Sequence, residues 1–364
     1  MPVLCDQCIL FDRPQHMYAI SGTALSWFSS YLTSRTQSVI VNDHISQVSS
    51  LSYGVPQCSV LGPFLFILHT KPLSDLIQCH SIESQSFADD TQLQVSVPPS
   101  NIQSAISSLE TCLSDIQTWM LENKLKPNND KTEAFLLRSS SRSFSVGKPT
   151  TISVGGCEIS FSCSERNLGF YIRDDMSVEL HIKNVCRSAY SELRRISIIR
   201  HLLSADSTKT LVSAFVLSRL DYCNSLLSGC PEHLLENLQK VQNSAARLVL
   251  KAHKRDHVSP LLRTLHWLPI QTRIECKLST HCHSFFSGRA PVYLSNLLRV
   301  YSPSRQLRSS SDSKNSTHSA HKDQNIWTSF IFPCCSFCHG IRHIQSVAAF
   351  KTALKTHLFK SYLC

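Results

Sequence analysis

The sequence predicts an α+β fold in which short strands and helices share the first half and helices dominate the second. Three observations lead there. Alternating apolar runs at Gln37–Val41, Leu93–Val97 and Ile152–Phe161 mark half-buried strands. Ile102, Ala105, Ile106, Leu109, Leu113, Ile116 and Met120 recur at spacings of three and four, the signature of a helix with one apolar face. Between residues 178 and 250 the periodicity is helical, as in Ile182, Val185, Ala189, Leu193 and Ile196.

At 364 residues and 42% hydrophobic composition the chain has material for two or three domains and a sizeable core, which excludes a disordered chain. Its net charge of +10 is uneven: residues 1–100 carry −4 and residues 101–364 carry +14. A basic surface of that kind suits phosphate backbones, since Lys and Arg displace condensed counterions. The 16 cysteines come without a signal-peptide pattern at Met1-Pro2-Val3-Leu4 and without an apolar run long enough for a bilayer. The expectation is an intracellular protein of nucleus or cytoplasm, neither secreted nor membrane-bound, with mostly buried thiols. The acceptor pattern Asn315-Ser316-Thr317 is then chemically idle.

Taken in order, residues 16–45 read as a helix bearing Leu25, Trp27, Phe28 and Leu32, with both aromatics as core anchors, and then a strand ending at Asn42-Asp43. Gly54-Val55-Pro56-Gln57 is a fixed turn leading into the apolar run Phe64–Leu68. In Ser86-Phe87-Ala88-Asp89-Asp90-Thr91 two adjacent carboxylates sit at or next to a tight strand-to-strand turn. Neighbouring carboxylates repel and need a cation to sit together, so a turn that fixes two is a half-site for Mg²⁺, an ion that takes oxygen ligands. Pro98–Asn101 links and caps the next helix, and Ser139–Lys148 reads as a loose loop. Gly155-Gly156 centres a hairpin, and Asn167–Ile172 supplies a further strand. Lys183, Arg187 and Arg194 share one stripe of the following helix, a phosphate-contacting row or a solvated face. A second helix covers Thr208–Leu217, and a third buries Leu234, Leu238, Val241, Ala245 and Leu248 with Gln239, Gln242, Asn243 and Arg247 outward.

Several of these segments, in this order, resemble the motifs of non-LTR (LINE-type) retrotransposon reverse transcriptases. Gly54-Val55-Pro56-Gln57-Cys58-Ser59-Val60-Leu61-Gly62-Pro63 resembles the turn and helix under template and nucleotide, and Phe87-Ala88-Asp89-Asp90 resembles the [YF]-x-D-D box. Ser26–Leu32 with Arg35-Thr36-Gln37, Trp119-Met120 with Asn123-Lys124-Leu125, and Asn129–Glu133 follow the same pattern. So do Asn167-Leu168-Gly169-Phe170, Ser218–Asn224, His257–Leu262, Leu265–Ile270 and Ala290–Leu294.

The resemblance implies an incomplete polymerase palm over residues 1–175, a helical thumb over 176–250 and a mostly helical C-terminal region over 251–364. It implies Asp89 and Asp90 as catalytic carboxylates holding Mg²⁺, with Mn²⁺ as a substitute. Gly54, Gln57, Phe87 and Lys131 would serve nucleotide and template, Lys131 beside the leaving pyrophosphate or as a plain surface lysine. Gly169, Lys183, Arg187 and Arg194 would grip primer and duplex. The partners implied are an RNA template, a DNA primer and deoxynucleotides.

Three departures qualify this. Cys58 replaces a family glycine, and its side chain would crowd the template path. Aligning Asp6-Gln7-Cys8-Ile9-Leu10 with the family's D-H-x-I-L puts Val3 where the first metal carboxylate belongs, so the chain is expected to start at or inside that motif and to polymerise weakly. The pattern also degenerates over residues 300–340. There His318, His321, Cys335 and Cys338 have zinc-like spacing, but zinc is not expected from residues in a Ser/Lys-rich loop and a decayed stretch. Cys5 and Cys8 form a still weaker pair. A non-catalytic nucleic-acid-binding remnant and a decayed element without selected function are the competing readings.

Overall fold

The computed structural model describes residues 7–51, 54, 59–137, 149–295, 344 and 346–363. The chain divides into two units, residues 1–165 and 166–364.

In the first unit α1 (Gln7–Tyr18) and α2 (Gly22–Leu32) precede four two-residue strands, β1 (Thr36–Gln37), β2 (Ile40–Val41), β3 (His44–Ile45) and β4 (Ser49–Ser50). β1 pairs with β4 and β2 with β3, so the single strand expected over 37–41 is a nested hairpin. The reason is local: Asn42 and Asp43 adopt φ of 47° and 63°, the left-handed pair that a two-residue turn needs. Trp27 departs from its expected core position. It is 51% exposed and lies flat on Tyr31 at 5.6 Å, while Phe28 packs beside Leu32 and Leu65.

α3 (Gly62–Cys79) starts on the Gly62-Pro63 turn, where proline's fixed φ and missing N–H suit a first turn. β5 (Glu83–Phe87), β6 (Asp90–Gln94) and α4 (Ile102–Glu122) follow. Leu73 and Ile77 of α3 meet Ile82 and the Cys112 and Ile116 face of α4, with Leu93 of β6 against them. The opposite edge of α4 places Ile106 on Ile152 and Val154 of a three-stranded sheet. That sheet has β7 (Ala134–Phe135) parallel to β9 (Cys157–Ser162), which is antiparallel to β8 (Thr151–Val154). The expected glycine hairpin is present, with Gly155 and Gly156 at φ of 61° and 78°. Buried Arg13 of α1 joins three helices: it donates to the His69 carbonyl and to Asn123 Oδ1 and lies 5.4 Å from the Trp119 ring centre.

The second unit opens within β10 (Ser164–Asn167), which pairs with β11 (Phe170–Arg173). α5 (Glu179–Ile199) and α6 (Ala205–Val212) come next, and α6 passes through a π-helical turn, Ser213–Leu217, into α7 (Ser218–Asp221). α8 (Glu232–Leu250), α9 (Val258–Leu265), α10 (Ile270–Phe286), α11 (Val292–Ser295) and α12 (Val347–Leu363) complete it. Ile182, Ala189, Leu193 and Ile196 of α5 share one core with Leu238, Val241 and Ala245 of α8.

The buried face of α8 differs from expectation. Gln242 is fully buried, and Leu235 and Val249 are buried where Leu234 and Leu248 were expected. Gln242 Nε2 donates to the Leu268 carbonyl at 2.8 Å, and Gln239 Oε1 accepts from the Ile270 N–H at 2.9 Å. Two amides thus hold the turn into α10, and a buried amide with its partners made is not an error of patterning. Buried Arg200 closes the other end of α8, donating to the carbonyls of Leu248 at 2.9 Å and Val249 at 2.8 Å, and to that of Leu203 at 2.7 Å. Those of Leu248 and Val249 are last-turn carbonyls that α8 cannot satisfy, at the end where a cation is favoured.

Candidate active site and nucleic-acid interface

The two carboxylates sit where the alternation pointed. β5 and β6 pair in register from Glu83–Gln94 to Phe87–Asp90, leaving Ala88 and Asp89 as a two-residue turn. Ala88 has φ of 56°, a left-handed geometry that L residues adopt at a cost. Cross-strand partners share a face, so Ser84, Leu93, Ser86 and Thr91 form one face, with Leu93 fastened to the α3/α4 core. The other face carries Glu83, Gln85, Phe87, Asp90, Gln92 and Gln94, with Gln94 Nε2 donating to Glu83 Oε2 at 2.6 Å. Asp89 and Asp90 are exposed, and Phe87 is 66% exposed beside them.

These oxygens are the right donors for a hard divalent cation. Among the described residues, no group of three His, Cys, Asp or Glu side chains is placed to hold a metal. The pair therefore fits the ion by chemistry and supplies only part of a coordination sphere. Val3 and Asp6, which bear on a third carboxylate, lie outside the described residues, as do Gln57, Cys58, His318, His321, Cys335 and Cys338.

Gly54 has φ of 78°, and its carbonyl accepts from the Arg35 guanidinium, whose Nε also donates to the Leu32 carbonyl at 3.0 Å. Two segments that resemble family motifs are thereby tied together at the end of α2. Lys131 is exposed at the close of a short 3₁₀ turn, Asn129–Lys131.

In the second unit Leu168 (φ 45°) and Gly169 (φ 86°) turn the chain between β10 and β11. The Tyr222 hydroxyl donates to the Leu168 carbonyl, and its ring would lie 3.6 Å from a Cβ placed on Gly169, an ordinary contact. Glycine is needed here for its φ and not for space. The rest of the Ser218–Asn224 segment fans outward. Arg219 reaches Ser188 and Glu192 of α5, and Asp221 takes a two-pronged ion pair from Arg273 of α10, with Nε to Oδ1 at 2.7 Å. Arg13, Arg200 and Arg273 were not singled out from sequence, because a lone Arg on a helical segment has no spacing signal that distinguishes it from a surface cation.

Lys183, Arg187 and Arg194 are exposed along α5, and none has an acidic partner among the described residues. Glu192, the nearby acid, is taken by Arg195 and Arg219. Tyr190 and Arg194 line an open groove of about 430 Å³ against Ser244 and Leu248 of α8. In the first turn of α5 His181 is buried, stacks on Phe170 at 3.9 Å and accepts from the Tyr171 N–H through Nδ1 at 3.4 Å; burial holds its imidazole down to about 4. The cysteines described between Cys79 and Cys282 carry free thiols. No described helix is long and apolar enough to cross a membrane.

Residues 11–170 match the family model described as reverse transcriptase (RNA-dependent DNA polymerase). The chain is 29% identical over 328 residues to the "Probable RNA-directed DNA polymerase from transposon BS" of Drosophila melanogaster, covering 84% of this chain and 34% of that protein. It is 24% identical over 173 residues to the "RNA-directed DNA polymerase from mobile element jockey" of the same organism, covering 46% of this chain and 18% of that one. It thus spans about a third of the first relative and under a fifth of the second. The family match encloses both the Gly54 turn and the Asp89–Asp90 hairpin, so residues 11–170 carry a reverse-transcriptase domain, and the chain is similar to the RNA-directed DNA polymerases of LINE-type mobile elements.

Proposed function

We propose that this chain is the polymerising part of a LINE-type retrotransposon protein, acting on an RNA template and DNA primer with deoxynucleotides and a divalent cation, Mg²⁺ or Mn²⁺, in the nucleus or cytoplasm. The observation that carries the reading is the β5–β6 tip, which presents Asp89 and Asp90 together, exposed, on a hairpin anchored to α3 and α4 by Leu93. In this reading residues 1–175 act as palm, 176–250 as thumb and 251–364 as the C-terminal region. Gly54, Gln57, Phe87 and Lys131 serve template and nucleotide, and Gly169 with Lys183, Arg187 and Arg194 serve the primer duplex.

We further propose that these 364 residues alone polymerise poorly. Val3 stands where the resemblance calls for the first carboxylate, and losing one charge-stabilising group at a phosphoryl-transfer site costs about a hundredfold or more in rate. Binding does not depend on that carboxylate, and the +14 charge of residues 101–364 supports retained affinity for primed duplexes. The test is primer extension on a primed RNA template with Mg²⁺, run beside Asp89→Asn. The expected result is no extension above the variant. Extension clearly above it would refute the impairment and leave the polymerase reading standing, while failure of the wild-type chain to bind the primed duplex would refute the reading as a whole.

A further inference from the structure

The C-terminal helices carry a concentration of charge that the polymerase reading does not use. α10 and α12 run antiparallel: His283, late in α10, stacks on Phe350, early in α12, at 3.9 Å, and the Tyr362 hydroxyl donates to Glu275 Oε2 at 3.1 Å. Phe350, Leu354 and Leu358 of α12 are buried in the seam with Leu268. Immediately beside that stripe stand Lys351 and Lys355, one helical turn apart, and α10 presents the row Arg273, Lys277, His281. Lys277, Lys351 and Lys355 are exposed.

The acids nearby are already engaged. Asp221 is held by Arg273, and Glu275 accepts from Tyr362 and from Gln271 Nε2 at 3.2 Å. Among the described residues none of the three lysines has an acidic partner within ion-pair distance. Burial, then Lys277 and Lys351, hold the His281 imidazole below the usual histidine range, and the burial that raises the Cys276 thiol is opposed by Lys355, Arg273 and Lys351.

We propose that this α10/α12 ridge binds the phosphate backbone of a nucleic acid through Lys277, Lys351 and Lys355, separately from the α5 stripe. Like charges brought together on a folded surface without partners are unfavourable unless an anion joins them. Among the described residues of α10 and α12 the exposed large hydrophobic is Tyr362, beyond the last of the three lysines, and the lysines themselves stand over a buried seam. Protein interfaces are depleted in lysine and built on aromatic or aliphatic cores, so an acidic protein is the poorer fit. Lysine acts on phosphate as a point charge without reading bases, and the contact is accordingly independent of sequence. The choice of nucleic acid among polyanions rests on the proposed function above.

The test uses the full 364-residue chain and a fluorescein-labelled RNA–DNA hybrid of arbitrary sequence, with affinity measured over about 50 to 200 mM KCl. The variant is Lys277→Gln/Lys351→Gln/Lys355→Gln, whose exposed side chains leave the core intact, checked by an unchanged thermal midpoint. The plot of log affinity against log salt should flatten by about two to three units relative to wild type. That difference should persist when Lys183, Arg187 and Arg194 are also replaced. As a second readout, the His281 pKa followed by NMR should rise when the hybrid binds the wild-type chain. An unchanged salt slope in the triple variant overturns the proposal, as does an unmoved His281. Poly-glutamate binding that is lost in parallel with hybrid binding also overturns it, by making the ridge an acidic-protein site. If wild type binds the hybrid and the triple variant binds identically, this inference fails alone; if wild type does not bind, the proposed function fails with it.

Discussion

Replacing Lys183, Arg187 and Arg194 together by Ala examines whether α5 holds a duplex or faces only water. Positions 183, 187 and 194 lie within about 40° of one another around the helix, with rises of about 6 Å and about 10.5 Å between them. All three are exposed, none has an acidic partner among the described residues, and Glu192 of the same helix is committed to Arg195 and Arg219, so no internal ion pair must break before a phosphate is met. Each contact releases about 0.7 to 0.9 of a counterion, which predicts a slope of log affinity against log salt that is shallower by about 2.1 to 2.7 in the variant. Over a fourfold rise in salt, wild type should therefore lose about 20- to 40-fold more affinity than the variant. Fluorescence anisotropy with primed duplexes of two unrelated sequences measures this, and both should respond alike because phosphate contacts carry no base information. Asp89→Asn should leave the slope unchanged. Equal slopes for wild type and the triple variant would show that the stripe is a solvated helix face.

Arg200→Met should destabilise the chain by about 3 to 5 kcal/mol in urea unfolding, because it removes the donors of three hydrogen bonds and leaves the carbonyls of Leu248, Val249 and Leu203 without them; a loss under about 1 kcal/mol would mean water replaces the guanidinium at no cost. His181 supplies a pH dependence. Its folded pKa of about 4 is below the unfolded value near 6.5, so the unfolded state binds the extra proton between those limits, and stability is complete above pH 6.5 and falls as pH drops toward 4. From pH 7.5 to pH 5 the expected loss from this residue is about 2 kcal/mol, and His181→Gln should remove that part of the slope, measured as the shift in urea midpoint between the two pH values.

Much of the fold follows from periodicity. The α4 stripe, the Gly155-Gly156 hairpin and the α5 face all rest on apolar spacing that a buried surface enforces, and in each the structure buries residues that the spacing marks, such as Ile116, Ile152 and Ile196. Where periodicity fails, polar contacts decide. Gln242 has the composition of a solvent-facing residue, yet its amide is the partner of a carbonyl 26 residues away, and no local pattern encodes a pairing at that separation. Trp27 shows the reverse: a large aromatic reads as core, but its neighbours on α2 supply a flat Tyr31 partner at the surface. The nested strands at 36–50 were unreadable because two-residue ladders fall below the length at which alternation can be counted.

The candidate site divides along the same line. The position of Asp89 and Asp90 on a tight turn was legible because strand alternation and the small Ala88 are local signals, and the hairpin register realises them. What anchors the neighbouring motif segments was not. Arg35 holds the Gly54 carbonyl across 19 residues, Tyr222 holds the Leu168 carbonyl across 54, and Arg273 holds Asp221 across 52. In each case a side chain of one motif or helix fixes the backbone or carboxylate of another, so these residues position turns that the motif reading treats as contact surfaces. Ser218–Asn224 shows this most fully: Arg219 takes α5, Asp221 takes α10 and Tyr222 takes the Gly169 turn, three directions from four successive residues. An ordered set of motifs therefore marks two kinds of residue with one signal, those that meet a ligand and those that fix where the first kind stand, and only their contacts separate them.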